Sequence, residues 1–390
     1  MENETLKQDI IIIGGGPSGI STALHLAQRA PGLIPHILVL EKESYPRQKL
    51  CAGGLVPDAE IILRRLGLDV SEVPHVDADV AHFDFEGHGL TVAPWKKHIL
   101  RVIRRDEFDA WLAGKARQRG IRIREGVAVK SVQPGPQGVV VETETQRYLA
   151  RVVVGADGSN GTVRRSILPK APVYTARVLE IITPASVPPD PRRRPHKERH
   201  AYMDFFPVPA GIAGYTWDFP TQVRGQPMRC WGIYDTNILA DMQRPPLKDP
   251  LAAEMARYGL DLADYEIKGH PIRWFDPFNK AAVPGVVLVG DAVGADPIFG
   301  EGISIALGYG QVAAAEIASA FSRADFRFAG YKRRLLLSPL GQSLLVRWFL
   351  SYIIYPWHWK WFQVLVLRIF YPFVGLIGWF LVLNWGKRMR

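Results

Sequence analysis

Residues 10–13 form an unbroken β-branched run, Ile10 through Ile13. That is the pattern of a strand buried on both faces of a parallel sheet. Residues 20–29 then carry a helical pattern, and residues 36–41 (HILVLE) make a second apolar run. Strand, helix and strand in that order predict a β–α–β opening. Residues 152–154 and 286–289 are further buried-strand runs, each ending in a glycine turn. Residues 139–143 and 201–206 instead alternate apolar with polar positions, which suits an antiparallel sheet. GYTWDFP, residues 214–220, alternates Tyr215, Trp217 and Phe219 and predicts a half-buried strand that Pro220 ends. Residues 184–200 are proline-rich and basic and read as a surface loop. From about residue 302 the pattern is helical to the end, broken at Pro339, Pro356 and Pro372. There are no internal repeats.

Length and composition narrow the class. A chain of 390 residues suggests two or three domains. Its 47% hydrophobic and 22% charged content fits a globular protein with a large core. The net charge of +10 favours nucleic acid or an anionic membrane surface. Two cysteines, Cys51 and Cys230, are too few for a disulfide framework and point to a reducing compartment. The polar, acidic N-terminus lacks the order of a signal peptide, so no targeting segment is expected there.

Chemistry enters with the glycines. Gly14, Gly16 and Gly19 form G-x-G-x-x-G between the first strand and the first helix, with Pro17 inside the motif. Glycine permits the tight turn, close approach of a pyrophosphate and close helix–strand packing, and the helix N-terminus faces the phosphates. Glu41 ends the second strand, at the distance expected for an acid on ribose hydroxyls. An acid there disfavours a 2′-phosphate, which leaves FAD or NAD. Two later stretches favour FAD: residues 155–164, GADGSNGTVR, and residues 288–307. In the second, Asp291 ends a strand where a carboxylate can accept hydrogen bonds from a sugar-alcohol chain. Gly300 and Gly302 then open a helix whose partial positive charge suits an anionic reduced flavin.

With these motifs the chain resembles, over about residues 8–320, the flavoproteins of the p-hydroxybenzoate hydroxylase fold. The resemblance implies that the first glycine motif, the DG element (Asp157, Gly158) and the GD element (Gly290, Asp291) jointly bind FAD. Arg105, Phe108 and Asp109 match that group's R-x-x-F-D pattern, which implies an arginine near the cofactor; alone, Arg105 reads as a solvated charge at a helix start. Within the group, Tyr215, Trp217, Phe219 and Pro220 match the Y-x-W-x-F-P of the geranylgeranyl reductase family at every defined position. Residues 49–54 (KLCAGG) and 297–303 (PIFGEGI) resemble two further motifs of that family. Related halogenases carry a tryptophan where this chain has Tyr215. The chain departs from the reductases at one place. They carry G-x-G eight residues after the strand motif, where this chain has Arg229, Cys230 and Trp231, with a glycine only at Gly232. That leaves the far wall of the substrate cavity open.

The resemblance implies an α/β fold. A Rossmann-like FAD domain is expected over residues 1–75, 100–165 and 280–330. An inserted antiparallel-sheet substrate domain is expected over 76–99 and 166–279, and a C-terminal apolar helical segment over 331–390. The expected activity is FAD-dependent reduction of carbon–carbon double bonds in a prenyl lipid. A monooxygenase of an apolar substrate and a lipid-binding electron-transfer flavoprotein are the alternatives. A row of rings suits a long apolar ligand, with Trp217 and Phe219 as cavity wall. Cys51 is the candidate proton donor or substrate-positioning group, or else a small buried packer; the Tyr215 hydroxyl is a second candidate donor. Electrons are expected from NADPH or a reduced carrier protein, although no second dinucleotide fingerprint is present.

Six of the eleven tryptophans lie in the tail: Trp348, Trp357, Trp359, Trp361, Trp379 and Trp385. Residues 369–385 form a nearly uncharged run, marginal against the ~20 residues a span needs. Flanking aromatic and basic residues suit a membrane interface. The segment is therefore expected to lie on the cytoplasmic face of a membrane, monotopic rather than spanning; the alternative is a buried helical cap. The basic charge then belongs to the membrane, and no nucleic-acid motif accompanies it.

Overall fold

The computed structural model describes residues 5–95, 97–185, 197–378 and 382–389. Most of the proline-rich loop, and Trp379, lie outside the described residues. Two large sheets and one small one organise the chain. The first has the strand order 282–283, 286–288, 147–155, 5–13, 37–40, 122–124, with strands 138–143 and 129–135 branching from 147–155. Its centre is parallel: Ile10 pairs with Val152 on one side and Ile37 on the other. These β-branched residues are buried on both faces, as their unbroken run requires. Residues 139–143 are antiparallel, but they pair with 147–155 of this sheet.

The helix Pro17–Arg29 leaves the glycine turn and packs against the long helix Ile303–Arg323. The approach is close because Gly310 has no side chain. A Cβ there would meet the Ser21 Oγ at 2.4 Å. The Ser21 hydroxyl donates to the Leu307 carbonyl at 2.7 Å, which ties the two helices together.

The second sheet has seven strands in the order 268–273, 175–184, 226–235, 214–223, 200–204, 80–85, 88–92. Every pairing is antiparallel except 200–204 against 80–85, which is parallel. The aromatic strand is longer than its sequence suggests. It runs Gly214–Val223, so Pro220 lies inside it rather than at its end. Pro220 pairs with Arg229 and sits beyond Asp218, the last residue paired with 200–204, where a missing N–H is tolerated. Nor is the strand half-buried. The face carrying Thr216 and Asp218 is covered too, and Asp218 meets the buried Arg229 guanidinium at 2.7 Å. Residues 54–55, 100–103 and 75–78 form a small three-stranded sheet.

Among the described residues one helix, Ile303–Arg323, is long and apolar enough to cross a membrane, but 83% of its apolar window is buried inside the fold. The tail itself is broken into short pieces: Tyr331–Leu337, Pro339–Ile354, Lys360–Val364, a π-turn Leu365–Ile369, Tyr371–Ile377 and Trp385–Arg388. Polar contacts tie these pieces to the body. Arg368 donates to the Phe85 carbonyl at 2.7 Å, the Gly386 N–H to Asp58 at 2.9 Å, and the Arg65 guanidinium to the Met389 carbonyl.

Candidate active site

Both large sheets and the tail open onto one cavity of ≈ 1680 Å³. A single small ligand needs ~300–1,000 Å³, so there is room for a dinucleotide and a second long molecule. Gly14, Gly16, Pro17, Glu41, Cys51, Arg105, Asp157, Gly158, Tyr215, Trp217, Phe219, Asp291, Gly300 and Gly302 all line it. Gly19 and Gly290 are not among the lining residues, and both are closely packed. A Cβ on Gly19 would meet the Gly14 carbonyl at 2.0 Å; one on Gly290 (φ +60°) would meet the Ser18 hydroxyl at 2.6 Å.

The glycine turn is a built cradle. Gly16 precedes a helix whose first turn has no side-chain cap among the described residues, and Gly16, Pro17 and Ser18 line the cavity. A Cβ at Gly16 would meet only the Arg47 guanidinium, at 3.4 Å, and one at Gly158 would meet nothing within 4 Å. Glu41 accepts from the Gly15 N–H at 2.7 Å and braces the turn. Arg47 lies between Glu41 (3.6 Å) and Asp109 (3.0 Å). Arg105 is not a solvated charge: it forks onto Asp109 with two bonds of 2.9 Å and lies beside Cys51. Asp157 accepts from the Val163 N–H at 2.9 Å, while its Oδ1 is buried without a partner among the described residues. Burial pushes its carboxyl pKa up. The helix at Ile303 also begins uncapped, at Gly302, with Asp291 at 4.0 Å from a Cβ built there. Asp291 accepts from the Ser159 hydroxyl at 3.3 Å. Open glycine positions, two uncapped helix starts and an orphaned carboxylate oxygen together fit a flavin dinucleotide.

Residues 7–222, over half of the chain, match the FAD binding domain family. The chain belongs to that family. It is an FAD-dependent oxidoreductase, and FAD is its cofactor. It is 26% identical over 336 residues to the menaquinone reductase of Mycolicibacterium smegmatis, covering 79% of this chain and 76% of that protein. It is 26% identical over 359 residues to the geranylgeranyl diphosphate reductase of Rhodobacter capsulatus, covering 83% and 79%. Its fold is similar to that of a geranylgeranyl bacteriochlorophyll reductase-like protein from Thermoplasma acidophilum, with a TM-score of 0.74, 19% identity and 99% of each chain covered.

The rest of the cavity is apolar. Strand register puts Tyr215, Trp217 and Phe219 on one face, opposite Tyr234, Gly232 and Cys230. Phe83, Leu90, Met203 and Phe205 extend the wall. Gly232 is what makes room. A Cβ there would meet the Trp217 ring at 2.1 Å and the Leu179 carbonyl at 2.4 Å. The indispensable glycine of this wall is therefore Gly232, while Cys230 sits fully buried beside Phe219. The Tyr215 hydroxyl donates to the Phe299 carbonyl at 2.6 Å, and burial pushes its pKa up. Tyr215 thus pins the loop that carries Gly300. Cys51 is half-buried, and its Sγ accepts from the Gly53 N–H at 3.4 Å.

Sequence reasoning missed four groups at this site. Lys49 and His270 face each other at 2.5 Å. Burial lowers the Lys49 pKa and takes His270 down to about 4, so His270 is neutral at pH 7 and accepts from Lys49. Arg347, wholly buried, meets Asp296 at 2.5 Å and Glu301 at 2.7 Å. Glu180 is a buried carboxyl on the cavity wall. Only Lys49 had a sequence signal, next to the Cys51 motif. The others depend on pairings between strands or helices far apart in sequence.

Proposed function

We propose that this oxidoreductase reduces carbon–carbon double bonds in a prenyl lipid at a membrane surface, with electrons from NADPH or a reduced carrier protein. The observation that carries the reading is the continuity of the cavity from the glycine cradle into a long aromatic and aliphatic wall. Burying a prenyl chain there gains ~25 cal/mol per Å² of apolar area. FAD, when bound and reduced, supplies the hydride equivalent. The chain's own residues do the rest. Tyr215, Trp217 and Phe219 hold the chain, Gly232 leaves room for the Trp217 ring, and Cys51 positions substrate beside Arg105. The Cys51 loop, the sheet and the tail shield the reacting carbons from water.

The tail supports the membrane part of the reading. Phe362, Val366, Tyr371 and Val374 line the cavity, while Trp357, Trp359, Trp361, Phe370 and Phe373 of the same segment are exposed. Such a cluster suits headgroup-level contact and delivery of an apolar substrate from lipid. The test is anaerobic. Reduced enzyme is mixed with geranylgeranyl lipids in detergent while flavin absorbance is followed, with a saturated analogue as control. Reoxidation by the unsaturated lipid alone supports the reading. A flavin that stays reduced until air enters, followed by a product gaining oxygen, points to a monooxygenase instead.

A further inference from the structure

One polar side chain interrupts the cavity wall where the reductase reading needs a proton. Glu180 lies on the strand Thr175–Pro184, between Gly232 on one neighbouring strand and Lys268 on the other. Gly232 in turn pairs with Trp217. Because Gly232 has no side chain, the Trp217 ring lies over it, towards the row that holds Glu180. Glu180 is 5% exposed and lines the cavity. Its Oε2 has no hydrogen-bond partner among the described residues. A buried carboxyl oxygen without a partner costs stability, and its position on the cavity lining marks it as facing a ligand.

We propose that Glu180 is the acid that protonates the double bond. The inference rests on the prenyl-reductase reading and names the residue that reading lacks. The Tyr215 proton is held by the Phe299 carbonyl, whereas the Glu180 Oε2 is uncommitted. The step balances. The O–H bond of Glu180 breaks, its proton goes to one alkene carbon, and the π pair forms the new C–H bond. The neighbouring carbon takes a hydride from the two-electron-reduced flavin, so the substrate gains two hydrogens. The carboxylate left behind is reprotonated from water.

The surroundings of Glu180 suit this use. Burial pushes its carboxyl up to about 7, opposed by the Arg104 guanidinium, Lys268 and the Cys51 backbone amide. Cys230 faces it from the next strand, and the Lys49–His270 pair lies two residues along from Lys268. The group therefore carries a proton below about pH 7 and releases it above. Arg104 and Lys268 stabilise the carboxylate formed as the proton leaves.

The test compares wild type with Glu180→Gln and Glu180→Asp in anaerobic single turnovers on a geranylgeranyl lipid across pH. A positioned acid contributes ~10²–10⁴-fold. Glu180→Gln is expected to slow flavin reoxidation at least ~100-fold, with FAD content and lipid KM nearly unchanged, and Glu180→Asp to retain part of the rate. The wild-type rate should fall through pH 7, and that ionisation should be missing from the residual Glu180→Gln activity. Infrared difference spectra of the substrate-free holoenzyme give an independent readout: a protonated-carboxyl band titrating near neutrality, absent in Glu180→Gln. A Glu180→Gln enzyme with wild-type rate and pH profile, beside an active wild type, overturns the acid assignment alone, as does the absence of that band. A wild type that never reoxidises on prenyl lipids overturns the reductase reading, and the acid role falls with it.

Discussion

Arg347 is the residue through which the tail grips the site, and its removal has a calculable consequence. Its guanidinium is wholly buried between Asp296 and Glu301, in the segment that begins the helix at Ile303. It also donates to the Val382 carbonyl at 3.0 Å. Arg347→Met keeps the apolar stem but leaves two buried carboxyls without their cation. Breaking a buried pair this way costs about 3–5 kcal/mol. At ~2–4 °C per kcal/mol for a large domain, that lowers Tm by on the order of 10 °C. The loss must also depend on pH. Burial pushes the Glu301 carboxyl from 4.5 up to about 7, even with Arg347 present. A carboxyl raised in the folded state binds its proton more tightly there, so stability falls as pH rises between those values. Without Arg347 the folded value rises further, so the deficit of the variant widens between pH 6 and pH 8. Scanning calorimetry of the holoenzyme at both pH values reads this directly, and adding Glu301→Gln should recover part of the loss. A variant that melts with the wild type at pH 8, or whose deficit is the same at both pH values, would refute this account of the tail.

Other outcomes follow from single positions. Gly232→Ala puts a methyl 2.1 Å from the Trp217 ring and 2.4 Å from a backbone carbonyl. It should cost about 1–3 kcal/mol and slow prenyl turnover, and calorimetry with single-turnover rates checks both. Gly16→Val adds bulk to the cradle without backbone strain, so FAD should be lost on desalting while the far-UV spectrum is kept. Trp217→Ala removes a ring of ~150–250 Å². Half of that in contact with ligand is worth about 2.5 kcal/mol, so KM for a geranylgeranyl lipid should rise roughly 60-fold, with a smaller change for a shorter prenyl chain. Tyr215→Phe leaves the Phe299 carbonyl without its donor and should cost about 1 kcal/mol, read as a small drop in Tm.

The parallel core was legible because a strand buried on both faces has to be apolar throughout, as Ile10–Ile12 and Val152–Val154 are. The glycine cradle was legible because its spacing follows from backbone sterics. The aromatic strand was legible as a strand, but not its extent. Pro220 and the polar Thr216 and Asp218 read as an end and a wet face. Only the pairing with Arg229 and the cover over that face explain them. Glu180, Arg347 and His270 were invisible for the same reason. Each draws its meaning from a neighbour across the fold: Gly232, Asp296 and Lys49 respectively. The tail gave its apolar character but not its use. The same residue types can face outward or line a cavity, and here one segment does both, with Val366 and Leu367 lining the cavity and Trp359 and Phe373 exposed.

The central claim is settled most directly by the mass of the product. Reduced holoenzyme is given one equivalent of a geranylgeranyl lipid under argon, and the lipid is extracted and weighed by mass spectrometry. The account predicts a gain of two hydrogens for each double bond reduced, in step with flavin reoxidation. Lipid recovered at unchanged mass under argon, or carrying an added oxygen once air is admitted, would contradict it.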